Sequence, residues 1–173
     1  MRKTTKYILS ALFAALIAVF AQIAFPLPSG VPITLQTFAV ALSGFLLSYV
    51  FGTFSIAIYI LLGLIGLPVF SAFGGGPGVL FGATGGFLWG FFLLAFCCAI
   101  SEKFSNKILK LLISGCGVLM CHLCGILQFS LVYNTGIGRA FFVVSLPYLL
   151  KDLICVFGAF ILTKPIKNRI KMF

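Results

Sequence analysis

The chain has 173 residues, of which 12 are Lys or Arg and only 2 are Asp or Glu, so formal charges make up 8% of it. A soluble domain carries about 25% charged residues. With apolar types at 62% and mean hydropathy at +1.24, no aqueous fold of this size hides that much apolar surface in one core.

The solvent for most of the chain is therefore expected to be lipid. At about 20 apolar residues per spanning helix, the length allows roughly six spans with short loops. The net charge of +10 would suggest nucleic acid in a soluble domain, but its placement argues against that partner. Ten of the twelve cations fall in three clusters: Arg2, Lys3 and Lys6; Lys103, Lys107 and Lys110; Lys164, Lys167, Arg169 and Lys171. Each cluster flanks an apolar run, as cytoplasmic flanks of an integral membrane protein do, with added attraction to anionic lipid.

Several chemistries fail for want of residues. Paired-aspartate proteolysis needs two Asp, and only Asp152 exists. A zinc protease motif needs two His, and only His122 exists. No G-x-x-x-x-G-K-[ST] run occurs, so ATP is not hydrolysed through a P-loop. No catalytic residue and no metal site is expected, and any energy input comes from a partner.

In chain order the predicted spans are 7–25, 33–47, 49–67, 79–100, 108–133 and 146–163, forming a single membrane domain over 1–173. With six spans all three basic clusters fall on one side, which predicts an all-α bundle with both termini cytoplasmic. The first apolar stretch, at about 19 residues, exceeds the 7–15 of a signal-peptide core and is read as a retained helix. It carries Ala11/Ala15 and Ala14/Ala18, small pairs four apart that permit close helix approach in lipid. They serve either packing within the bundle or docking to another membrane subunit.

Pro26, Pro28, Gly30 and Pro32 end that helix, because a residue before proline resists helical geometry. Thr34, Gln36 and Thr37 stand at the mouth of the second span. The third ends near Gly66 and Pro68, before a run from Gly74 to Gly78. Gly78, Gly82, Gly86 and Gly90 then recur every four residues along one face of the fourth span. They form a packing ridge, or Gly74 to Gly86 is partly irregular backbone lining a cavity, the setting in which such backbone is tolerated at membrane depth.

In the fifth span Cys121, His122 and Cys124 only superficially resemble a metal cluster, and the six cysteines read as small hydrophobes. Glu102, beside Lys103 and near Lys107, reads as solvated charge.

The last span is the most informative. Ser145 can cap it and Pro147 fits a first turn, which would put Asp152 about 8–9 Å inward. A carboxylate there is costly unless paired or hydrated. Lys151 points about 100° away around the helix, so the two are not an obvious ion pair, though they can flank one ligand. With Gln36, Thr37, Thr84 and Tyr148 they supply a few directed polar groups in a cleft walled by Phe, Tyr and Trp89, the build of a small-molecule pocket.

Four ordered segments carry a family resemblance: Pro26-Leu-Pro-Ser-Gly-Val-Pro-Ile-Thr-Leu-Gln-Thr-Phe38, Leu62-Gly-Leu-Ile-Gly-Leu-Pro-Val-Phe70, Gly82-Ala-Thr-Gly-Gly-Phe-Leu88 and Leu146-Pro-Tyr-Leu-Leu-Lys-Asp-Leu153. Together they resemble the BioY family, the biotin-specific substrate-binding (S) components of energy-coupling factor transporters. The resemblance implies a multi-pass cell-membrane protein that binds biotin, uses no cofactor, and joins a transmembrane coupling subunit and two cytoplasmic ATPases.

It implies a site drawn from Gln36, Thr37, Gly75, Thr84, Gly86, Tyr148, Lys151 and Asp152, over which the Pro- and Gly-rich loops at 26–32 and 69–78 are expected to act as lids. It also implies a docking face from Ala11, Ala14, Ala15 and Ala18. Two positions depart from the family pattern: Ala83 stands where Pro is common, and Cys155 where a Lys is common. Lys151 stands at the family's Gly position, one turn before Cys155, and is expected to supply the missing cation. An S component for another vitamin, or a structural subunit without ligand, remains the alternative.

Overall fold

The structure, a computed structural model, describes residues 3–27 and 30–170. Arg2, Pro28 and Lys171 lie outside them. The described chain is helical apart from one two-residue strand pair. It runs α1 (Lys3–Gln22), β1 (Ala24–Phe25), β2 (Ile33–Thr34), α2 (Gln36–Leu46), α3 (Tyr49–Leu64), a 3-10 turn (Ser71–Phe73), α4 (Pro77–Leu80), α5 (Gly85–Ser101), α6 (Lys107–Val132), α7 (Ile137–Ala140), a π segment (Phe141–Ser145) and α8 (Leu146–Ile170).

Among the described residues, three helical paths are long and apolar enough to cross a membrane: Lys3–Gln22, Lys107–Val132 and Ile137–Arg169. The helices Gln36–Leu46, Tyr49–Leu64 and Gly85–Ser101 are apolar but shorter. The outward faces are oily, with Leu131 80% and Leu150 70% exposed. Such a surface suits lipid and would be a liability in water.

α2 lies at the centre. Ten of its eleven residues are buried, and it packs against α1, α3, α5 and α8. A helix that is apolar all round belongs inside a bundle. It begins only at Gln36 because Ile33 and Thr34 pair antiparallel with Phe25 and Ala24. That short ladder satisfies backbone groups which the prolines bar from a helix.

The fourth span differs from the expectation of 79–100. One turn, Pro77–Leu80, is followed by irregular backbone, and the helix proper starts at Gly85. The carbonyl oxygens of Leu80 and Gly82 each accept from Gln128 Nε2 at 2.8 Å. A side-chain amide from α6 thus satisfies backbone that no helix serves.

Gly86 and Gly90 serve packing, while the irregular stretch before them sends Val79 and Thr84, but no glycine, to a cavity. A Cβ at Gly86 would lie 2.3 Å from the Cys124 carbonyl oxygen, and one at Gly90 would lie 2.7 Å from Cys121 Cα. α5 therefore presses on α6 backbone to backbone. Gly78 meets nothing within 4 Å and is not part of that ridge.

The last span also differs. The helical path starts at Ile137 and passes through the π segment into α8 without a break. Ser145 is therefore mid-path and caps nothing. Pro147 has no N–H to donate to the preceding turn, and the widened π turn is a common way for a helix to absorb such a defect. Asp152 accordingly lies about 22 Å along the path rather than 8–9 Å.

The alanines of α1 divide. Ala14 has no exposed surface and Ala18 is half-buried, whereas Ala11 and Ala15 face outward. Ala14 therefore packs within this chain, and only the 11/15 pair is open to a neighbour. At the α5 terminus, Glu102 pairs with Lys110 at 3.0 Å and Lys167 at 2.7 Å, rather than with Lys103 and Lys107. The bundle folds the starts of α6 and the end of α8 onto the carboxylate, whereas Lys103 turns to the Tyr49 ring.

Candidate functional site

A cavity of about 640 Å³, its open mouth included, lies where the starts of α2 and α5 meet the middle of α6 and α8. Most of its polar groups come from places beside an interruption of the helices, whereas His122 projects from the middle of α6. Thr34 ends β2, Gln36 and Thr37 open α2, and Thr84 precedes α5. Tyr148, Lys151 and Asp152 follow the π segment. The walls are apolar and aromatic, including Phe70, Val79, Phe87, Phe91 and Leu94. A few directed polar groups in an oily cleft are what small-molecule sites contain.

Asp152 is the centre of the polar cluster and is 6% exposed. Its Oδ2 lies 3.1 Å from His122 Nε2, and its Oδ1 pairs with the Lys151 ammonium. The expectation that Lys151 and Asp152 are no obvious pair is therefore wrong. A helical offset of 100° separates Cβ atoms, but the long lysine stem folds back across it. Lys151 Nζ also donates to the Thr34 carbonyl oxygen at 2.8 Å. That bond ties α8 to the entrance of α2. Thr37 adjoins the same carboxylate.

His122, read from sequence as an indifferent member of a Cys-rich run, is the residue that sequence reasoning missed. It is 3% exposed, with Nδ1 2.9 Å from Ser145 Oγ. An ionised carboxylate only accepts, so the ring proton sits on Nε2, and in the neutral ring the Ser145 hydroxyl donates to Nδ1. The signal available in sequence was the singularity of both groups: one histidine and one aspartate in a chain nearly free of charge.

Ser145, His122 and Asp152 share the spacing of a hydrolytic triad, yet the ring nitrogens are exchanged relative to it. Ser145 is also 1% exposed and does not line the cavity, so its hydroxyl positions the ring instead of attacking a substrate. Cys121 and Cys124 do not join His122 in a ligand set, and no metal-binding group of three occurs among the described residues.

A second hydrogen-bonded row braces the mouth. Thr34 Oγ1 donates to Gln36 Oε1 at 2.8 Å, and Gln36 Nε2 donates to Tyr59 OH at 2.6 Å. Tyr148 OH donates to the Val31 carbonyl oxygen, holding the 30–32 stretch against α8. The other loop is clamped by Gln22, which donates to the Phe70 carbonyl oxygen at 3.1 Å and accepts from Phe73 N–H at 2.9 Å. Ala72 and Phe73 have φ of 54° and 57°, a region costly for residues with a side chain. The strain sits beside Ser71, which lines the cavity.

Of the eight predicted site residues, Gln36, Thr37, Thr84, Tyr148, Lys151 and Asp152 line this one cavity. Gly75 and Gly86 do not. Gly75 presses on the Gly66–Leu67 turn, where a Cβ would lie 2.5 Å from the Leu67 carbonyl oxygen, and Gly86 presses on α6. Both are close-packing positions. Cys155 is buried one turn below Lys151 and does not line the cavity.

A family model described as the BioY family matches residues 1–172. The chain is similar to the biotin transporter BioY of Thermotoga maritima, 41% identical over 144 residues that cover 83% of this chain and 84% of that protein. It is also similar to the probable biotin transporter BioY of Pyrococcus horikoshii, 34% identical over 166 residues, 96% of this chain and 98% of that one. Among solved structures, the S-component for biotin from an ECF-type ABC transporter superposes with a TM-score of 0.85. That match covers 96% of this chain and 92% of the other at 24% identity, a likeness of fold.

Proposed function

The chain belongs to the BioY family, and from that premise we propose that it is the membrane-embedded biotin-binding subunit of a biotin uptake transporter. The observation that carries the reading is the buried Asp152 carboxylate, held between Lys151 and His122 in an otherwise oily cavity. Charge at such depth persists where something compensates it, and intramembrane ionisable groups by default mark a substrate path.

Biotin offers ureido N–H donors, an apolar thioether ring and tail, and a carboxylate. Asp152 suits the donors through charge-assisted hydrogen bonds. Lys151 suits an anion or a carbonyl oxygen, and it reaches the cavity that Cys155 does not. Phe87 and Phe91 suit the ring and tail. Thr84 and Gln36 complete the polar set. Capture involves no covalent chemistry, so binding, orientation and exclusion of water are all that these residues do. The stretches at 26–32, held by Tyr148 at Val31 and with residues 28 and 29 outside the described ones, and at 69–78, held by Gln22, act as lids.

We place the chain in the cell membrane as a single six-span domain, both termini cytoplasmic. The meeting of Lys6, Lys103, Lys110 and Lys167 at one end of the bundle supports that orientation through the excess of cytoplasmic cations. The partners are a transmembrane coupling subunit and two ATPase subunits. The outward Ala11/Ala15 pair supplies the small-residue face for the first of these.

Equilibrium binding of biotin, thiamine and riboflavin to the purified full chain tests the reading. Biotin alone is expected to bind; binding of another vitamin in its place, or of none, overturns it.

A further inference from the structure

The end of the bundle remote from Asp152 holds a second and larger cavity, of about 1210 Å³ with its open mouth included. Its floor is the tight α2–α3 connection, where Phe45, Leu46 and Leu47 are buried. Its rim is basic: Lys6 from α1, Lys103 from beyond α5 and Lys167 from α8, against the single carboxylate of Glu102. Three stretches far apart in sequence thus deliver cations to one concavity.

The carboxylate is already engaged. Its two oxygens accept from Lys110 and Lys167 at 3.0 and 2.7 Å. Lys6 and Lys103 instead stand over aromatic faces, 5.4 Å from the Phe51 ring centroid and 5.3 Å from that of Tyr49. Such contact orients an ammonium without neutralising it. Among the described residues neither has an anionic partner.

We propose that this cavity binds the phosphate of an anionic phospholipid headgroup, with Lys6 and Lys103 as its ligands. Two features favour a lipid over a soluble phosphate. The floor is apolar, and Tyr49 at its edge and the adjacent Val50 are about half-exposed, so in the bilayer proposed above an acyl chain can leave the cavity without crossing water. A basic flank serving orientation alone needs cations near the membrane; it does not need two ammonium groups without an anionic partner among the described residues at one apolar-floored concavity. The proposal requires only that the chain resides in a membrane, and biotin binding read in the same samples separates its failure from that of the biotin reading.

The test is native mass spectrometry of the full chain in detergent, titrated with phosphatidylglycerol, with phosphatidylcholine of the same acyl chains, and with inorganic phosphate. Phosphatidylglycerol is expected to bind about tenfold tighter than phosphatidylcholine, with no competition from inorganic phosphate at the same concentration. Lys6→Gln with Lys103→Gln is expected to abolish that preference and leave biotin binding intact. Lys6→Arg with Lys103→Arg, and Lys107→Gln outside the cavity, are expected to keep it. Equal binding of the two lipids, effective competition by phosphate, an unchanged preference in the double Gln variant, or an equal loss in Lys107→Gln overturns the proposal.

Discussion

Where α2 and α8 meet, one carboxylate and one imidazole are held almost wholly out of solvent and joined by a lysine whose side chain is 23% exposed, each group with a hydrogen-bonded partner. At the opposite end four lysines surround one carboxylate that is about a fifth exposed, and two of them have no counter-charge among the described residues. The contrast follows from desolvation. Deep charges persist only in a closed set whose members satisfy one another, whereas charges at a rim stay in contact with water and can be in surplus. In the readings proposed above, the closed set takes one small polar ligand and the open one a lipid headgroup.

The same substitution should therefore have unequal consequences at the two ends. The largest effect is expected for Asp152→Ala, which leaves the Lys151 ammonium and His122 without their anion. Breaking a buried pair costs about 3–5 kcal/mol, read as a large fall in the thermal unfolding midpoint in detergent; an unchanged midpoint would mean that water reaches the site freely.

Next comes Lys151→Ala. A charged hydrogen-bonding group contributes about 1.5–3 kcal/mol, so biotin affinity is expected to fall by one to two orders of magnitude in a calorimetric titration. Unchanged affinity would remove Lys151 as the cation that replaces the one absent at Cys155.

His122→Gln should weaken biotin binding less. It loses the Ser145 bond and loosens Asp152, at about 1 kcal/mol for a neutral hydrogen bond, measured by the same titration. The smallest effect is expected for Glu102→Gln at the basic end. It frees two lysines, yet ion pairs at a partly solvated rim contribute only about 0.2–1 kcal/mol each. A loss of stability as large as that of Asp152→Ala would erase the distinction between the ends.

Much of the bundle was legible before its structure. Apolar runs marked where the helices lie, and the basic clusters marked which ends come together, because both follow from solvation and need no tertiary information. Six of eight predicted site residues converge for a similar reason: a polar side chain in an oily helix has few places to go.

What escaped prediction depended on a neighbour. Gly75 and Gly86 looked like cavity backbone, but only the positions of Leu67 and Cys124 reveal them as packing points. Ser145 followed by Pro147 carries a good start signal, and the π turn that lets the helix run through it is invisible in a linear pattern. His122 could not be joined to Asp152 across thirty residues by any periodicity. The irregular stretch before Gly85 survives because Gln128, from another helix, satisfies its carbonyls.

The decisive comparison is biotin titrated by calorimetry into the purified wild-type chain and into Asp152→Asn, which preserves shape and removes charge. Saturable binding to the wild type and a loss of about 1.5–3 kcal/mol in the variant, roughly 10- to 150-fold in affinity, are expected. Equal affinity in the two proteins would take the buried carboxylate out of vitamin recognition and contradict the reading built on it.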